Sequence, residues 1–68
     1  MNRKQQDLKY YVVDGHAGWF VVKARSKSVA KSEGIKEWGR GHVKNVSIAK
    51  DSDVILYRAI KGEIETIE

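Results

Sequence analysis

Apolar and polar residues change their spacing several times along this chain, and each change marks an element. From Leu8 the residues are β-branched and aromatic, Lys9-Tyr10-Tyr11-Val12-Val13, a composition that suits a pleated, half-buried surface. Asp14-Gly15-His16-Ala17-Gly18 follows, and Trp19-Phe20-Val21-Val22-Lys23-Ala24 runs back. Asp-Gly supplies the positive φ angles of a tight turn, so the pair reads as a β-hairpin. At Arg25-Ser26-Lys27-Ser28 the period lengthens to about three and a half. Ser26 or Ser28 can cap a helix through a hydroxyl oxygen, and Gly39-Arg40-Gly41 supplies its stop. Between them Ala30, Gly34 and Trp38 recur at i, i+4, i+8 with Ile35 beside them, a narrow stripe suited to a helix lying close across a sheet. Gly34 costs about 1 kcal/mol against Ala in a helix interior, and is read as a point of close approach. Ser32, Glu33, Lys36 and Glu37 are assigned to the solvated side.

Residues 42–50 read as a third strand. Val46 and Ile48 share a face while Val43 falls on the other, which a bulge near Lys44-Asn45 would reconcile. For the last segment, Asp51-Ser52-Asp53 can cap a helix over 54–61 ending at Gly62, with Ile55, Leu56, Ala59 and Ile60 as a broad apolar face. Its rival is a hairpin in which 54–60 turns at Lys61-Gly62 into 63–67. The helix is preferred. The predicted fold is therefore α+β, a small antiparallel three-stranded sheet with helices in the order β-β-α-β-α, the alternative being β-β-α-β-β-β. Phe20, Val22 and Ala24 are expected to face the Ala30/Gly34/Trp38 stripe. Trp19, Val21 and Lys23, with Lys9 and Tyr11, are expected on the opposite face.

Length and charge narrow the function classes. Sixty-eight residues make one small domain with one core and little stability to spare. Only the first half dozen residues read as a disordered arm. There is no Cys and no Pro, so the usual staples of small proteins are missing and self-association becomes relevant. No apolar run approaches the roughly 20 residues needed to cross a bilayer, and no signal core follows the N-terminus. The expected location is the cytoplasm. Charge is unevenly laid out: residues 1–50 hold eleven Lys and Arg against four Asp and Glu, a balance of +7, whereas 51–68 hold two against five, a balance of −3. A basic body with an acidic tail favours anionic partners.

The densest cationic set is Lys23, Arg25, Lys27 and Lys31, with Arg40 and Lys44 after the helix. Clustered Lys and Arg neutralise phosphates and release counterions, giving sequence-tolerant, salt-sensitive binding. Tyr11 and Trp19, expected on the exposed sheet face between Lys9 and Lys23, are candidates for stacking on unpaired bases or for an interface. The bland alternative is that the lysines only solubilise the domain and the two rings are covered. Gly39-Arg40-Gly41 lacks the length and the Lys-Ser/Thr of a phosphate loop and follows a helix, so it reads as a C-cap. His16 and His42 have no second ligand at i+3 or i+4 and no Cys, so no metal site or cofactor is expected. Glu33 and Glu37 sit beside Lys36 on the expected polar side, and no Ser, Thr or Lys has a neighbouring base; an enzyme is not expected.

The pattern Ser26-x-Ser28-x-Ala30, Glu37-Trp38-Gly39-Arg40-Gly41-His42-Val43-Lys44-Asn45-Val46, then Ala49-x-x-x-Asp53-Val54-x-x-Tyr57-x-x-Ile60-Lys61-Gly62-Glu63-Ile64 resembles small proteins carried by phages and other mobile elements of Gram-positive bacteria. The resemblance implies a mobile-element origin, with regulation of nucleic acid or interference with a host protein as the common roles. Two expectations follow. One is a nucleic-acid-binding accessory protein using Lys23, Arg25, Lys27, Lys31, Arg40 and Lys44. The other is an inhibitor or adaptor that docks on an acidic host protein and forms a homodimer, motivated by the apolar load of Trp19, Val21, Ile55, Leu56 and Ile60.

Overall fold

Two strands, β1 (Lys9–Gly15) and β2 (Gly18–Ala24), pair antiparallel in a register running from Lys9↔Ala24 to Gly15↔Gly18. His16 and Ala17 form the turn, and the positive φ falls on Gly18. The turn thus lies beyond the Asp14-Gly15 pair that the sequence suggests. Gly15 stays in the strand because the indole of Trp38 lies over it: a Cβ there would stand 2.4 Å from that ring and 2.6 Å from the His42 carbonyl oxygen.

The computed structural model describes residues 8–67; the arm expected over 1–6 lies outside them. After β2 come α1 (Lys27–Trp38), β3 (Val43–Ile48), α2 (Asp51–Lys61) and β4 (Glu65–Ile67). The sheet order is β3-β1-β2-β4, with β4 parallel to β2. The sheet is therefore four-stranded and mixed, where three antiparallel strands were expected. Helix wins over hairpin for α2, yet the segment after Gly62 is still a strand. Both helices are crossovers between parallel strands, running in opposite directions along the sheet. Right-handed crossovers of opposite direction put their helices on opposite faces. The contacts agree: α1 lies over Val13 and Val43, and α2 meets Trp19 and Tyr10 on the other side.

Local chemistry sets the helix ends. Ser26 Oγ accepts from the Val29 N–H at 3.2 Å, satisfying an orphan donor of α1, and Gly39, with φ 100°, ends it. In α2 the Asp53 carboxylate accepts from the Lys50 N–H at 3.0 Å. The acids lie inside the first turn and not before it, so α2 begins three residues earlier than expected.

The core joins Tyr11, Val13, Val22, Ala24, Ala30 and Val46, with Phe20, Trp38, Val43 and Ile67 packed around it. The bulge is present: Asp14 pairs with Asn45 and Gly15 with Val43, so the register skips Lys44 and Val43 rejoins the α1 face. Glu33 is buried at 7 % exposure, against its expected place on the solvated side. At about 100° per residue, Glu33 and Glu37 stand only about 60° and 20° from Ala30 around the helix, on the flank that overlies β2. Among the described residues no helix is long and apolar enough to cross a membrane.

Candidate nucleic-acid interface

Capping by Ser26 starts α1 at Lys27, and four residues later Lys31 lies above it on the same flank. Across from them the β3 bulge frees Lys44 from the strand alternation. Lys27, Lys31 and Lys44 consequently border one groove of about 300 Å³, together with Ser28 and Asn45. Among the described residues no acid lines it, and the first turn of α1 has none either. The positive end of the helix dipole adds to the three ammonium groups instead of being offset. The groove can therefore hold anionic oxygens, with Ser28 and Asn45 as neutral hydrogen-bonding groups.

The other predicted cations are dispersed. Lys23 stands on the opposite face, its Nζ 5.4 Å from the centre of the Tyr10 ring. Arg58 approaches the same ring at 5.8 Å, and its Nη2 donates to the Tyr10 hydroxyl at 3.1 Å. Arg25 is exposed in the link between β2 and α1. Arg40 lies past the far end of α1, a helix of 12 residues that begins at Lys27 and is about 18 Å long.

Tyr11 requires a correction. It is 6 % exposed and part of the core. Directly opposed residues share a face, and the register Tyr11↔Val22 puts Tyr11 under α1 while Tyr10, opposite Lys23, takes the second face. Trp19 is on that second face as expected, but its ring lies 5.5 Å from Tyr57 of α2 and is half-buried. The open stacking pair Tyr11/Trp19 does not form. Sequence reasoning passed over Ser28 and Asn45; the bulge expected at Lys44-Asn45 was the available signal. Tyr10 and Arg58, 48 residues apart, left none.

His16 and His42 stand edge to face with ring centres 6.0 Å apart. Among the described residues no group of three or more His, Cys, Asp or Glu converges to hold a metal ion. No protein-family model, no curated protein and no solved structure matches this chain.

Proposed function

We propose that this chain is a non-enzymatic binding module of the cytoplasm that grips a nucleic acid by its phosphates, as an accessory or regulatory protein of a mobile element. The observation that supports it most is the meeting of Lys27, Lys31 and Lys44 in one groove that no acid lines among the described residues. Those residues come from two elements and are separated by up to 17 positions, so their juxtaposition is a property of the fold. Phosphate contacts of this kind fix position and carry no base preference. The mobile-element origin rests on the resemblance of residues 26–64 alone.

Fluorescence anisotropy with single-stranded DNA, duplex DNA and RNA at low salt tests this function. Binding to at least one of them, lost in Lys27→Glu/Lys31→Glu with the fold intact, is the expected result. No complex with any of the three would overturn the proposal.

A second reading, docking on an acidic host protein with homodimer formation, is favoured by a different observation. Ile55, Leu56 and Ile60 are 68, 51 and 60 % exposed on one side of α2. Contiguous exposed apolar residues on a small domain suit a protein partner.

A further inference from the structure

The two flanks of α1 carry opposite charge. Lys27 and Lys31 border the β3 groove, whereas Glu33 and Glu37 border a separate cavity of about 560 Å³ at the β2 side. That cavity is lined by β2 from Gly18 to Val22, and β4 is short. It pairs only with Val22, Lys23 and Ala24, so among the described residues the stretch of β2 from Gly18 to Val21 has no partner strand on that side.

Aromatic rings form much of the wall. Trp19 meets Tyr57 at 5.5 Å and 60°, and Phe20 meets Trp38 at 5.1 Å and 57°; all four line the cavity. Among the described residues, Glu33, Glu37, Glu63 and Glu65 border it against the one cation Lys61, a local balance of −3 in a chain whose net charge is +4.

Glu33 is the decisive group. Its side chain is 8 % exposed, and its ionic neighbour, Lys36 Nζ, stands 3.8 Å away with 77 % of its own side chain in solvent. A charge-assisted hydrogen bond needs about 2.7–2.9 Å, and among the described residues no donor reaches the carboxylate at that distance. A carboxylate withdrawn from water without donors is unfavourable unless a cation joins it. Tyr57 senses the same surroundings: desolvation first, then the charges of Glu37 and Glu65, hold its hydroxyl above the ordinary value of 10.0.

We propose that this cavity binds an organic cation, an alkylammonium or guanidinium group, between its aromatic rings and the carboxylates of Glu33 and Glu37. Ring faces attract such a cation through their quadrupole, whereas a metal ion needs several oxygen ligands at once, and among the described residues no three acid or imidazole side chains converge to supply them. The group arrives either as a free amine or as a Lys or Arg side chain of a polypeptide. In the second case the edge of β2 that has no partner strand among the described residues adds backbone hydrogen bonds to the extended chain that carries it. The site is independent of the phosphate-binding reading, because it shares no residue with the β3 groove.

The two tryptophans of the chain both line the cavity, so their indole N–H signals in proton–nitrogen NMR report directly on it. The full chain is titrated at constant ionic strength with putrescine, with Nα-acetyl-lysine amide, with Nα-acetyl-norleucine amide as the neutral counterpart, and with an Ala-Lys-Ala peptide. Saturable shifts of both indole signals are expected with the cations and not with the norleucine compound. Glu37→Gln, at an exposed site, and Glu33→Gln should each weaken binding about tenfold or more, while Lys27→Glu/Lys31→Glu should leave it unchanged. Tighter binding of the peptide, with amide shifts from Gly18 to Val21, identifies a polypeptide source; equal binding of putrescine without them identifies a free amine. Absence of saturation at tens of millimolar, an equal response to norleucine, or unaltered affinity in a folded Glu37→Gln protein would overturn the proposal.

Discussion

Gly34 packs its bare Cα against Val13: a methyl group there would stand 2.7 Å from Cγ1 of Val13 and 2.9 Å from Cγ2 of Val43. This contact lets α1 lie close on the sheet, where Lys27 and Lys31 border one groove with Lys44. Two effects oppose each other in Gly34→Ala. Alanine gains about 1 kcal/mol of helix propensity, and overpacking against two side chains that are stiff at χ1 costs about 1–3 kcal/mol. Overpacking is expected to win, lowering the urea midpoint at constant m-value. An unchanged or raised midpoint would mean that α1 lifts off Val13 without cost.

Salt dependence separates a groove of three lysines from six scattered cations. Each neutralised phosphate contributes about −0.7 to −0.9 to the slope of log K against log salt, so Lys27, Lys31 and Lys44 together give a slope between about −2 and −3. Lys31→Glu should flatten it by about one unit. Lys23→Glu, on the other sheet face beside Tyr10, and Arg40→Glu, past the end of α1, should each leave the slope nearly unchanged. A slope near −5, reduced equally by all these substitutions, would show that no single groove does the binding.

Features encoded by neighbours in sequence were legible, and features decided by distant packing were not. The Ser26 cap, the close approach at Gly34 and the bulge at Lys44 each have a local signature, and each is present. The turn is different. Trp38, 23 residues downstream, covers Gly15 and holds it in the strand, and the resulting register places Tyr11 in the core and Tyr10 outside. Glu33 reads as part of the solvated side opposite the Ala30/Gly34/Trp38 stripe, yet it stands about 60° from Ala30 around the helix and is buried. In α2 the sequence pattern gives a broad apolar face of Ile55, Leu56, Ala59 and Ile60, and all four are exposed. Tyr57 and Arg58 meet the sheet instead, through Trp19 and Tyr10.

The apolar side of α2 gives a prediction that discriminates folding from association. Because Leu56 and Ile60 are at least half exposed, Leu56→Glu/Ile60→Glu should change the unfolding free energy of the isolated chain by no more than about 0.5 kcal/mol per site. If copies of the chain pair through this side, the same variant shifts sedimentation from a concentration-dependent dimer to a monomer. Substantial unfolding of the variant at low concentration would show that these side chains are needed within one copy.

Tyr57 links the acidic cavity to stability at high pH. Its hydroxyl is held above 10.0 by desolvation, then by Glu37 and Glu65, so the folded state keeps this proton to higher pH than the unfolded chain does. The slope of unfolding free energy with pH follows protons bound in the unfolded minus the folded state, which here is negative. The contribution is complete below the unfolded value of 10.0 and is lost as pH rises through the higher folded value. Denaturation of the wild type and of Tyr57→Phe at about pH 9 and about pH 11 isolates the effect, since every other titrating group is common to both. The wild type should lose more stability between the two than Tyr57→Phe, and Glu37→Gln should reduce the difference. Parallel losses in wild type and Tyr57→Phe would show that Tyr57 is solvated and that the cavity exerts no field on it.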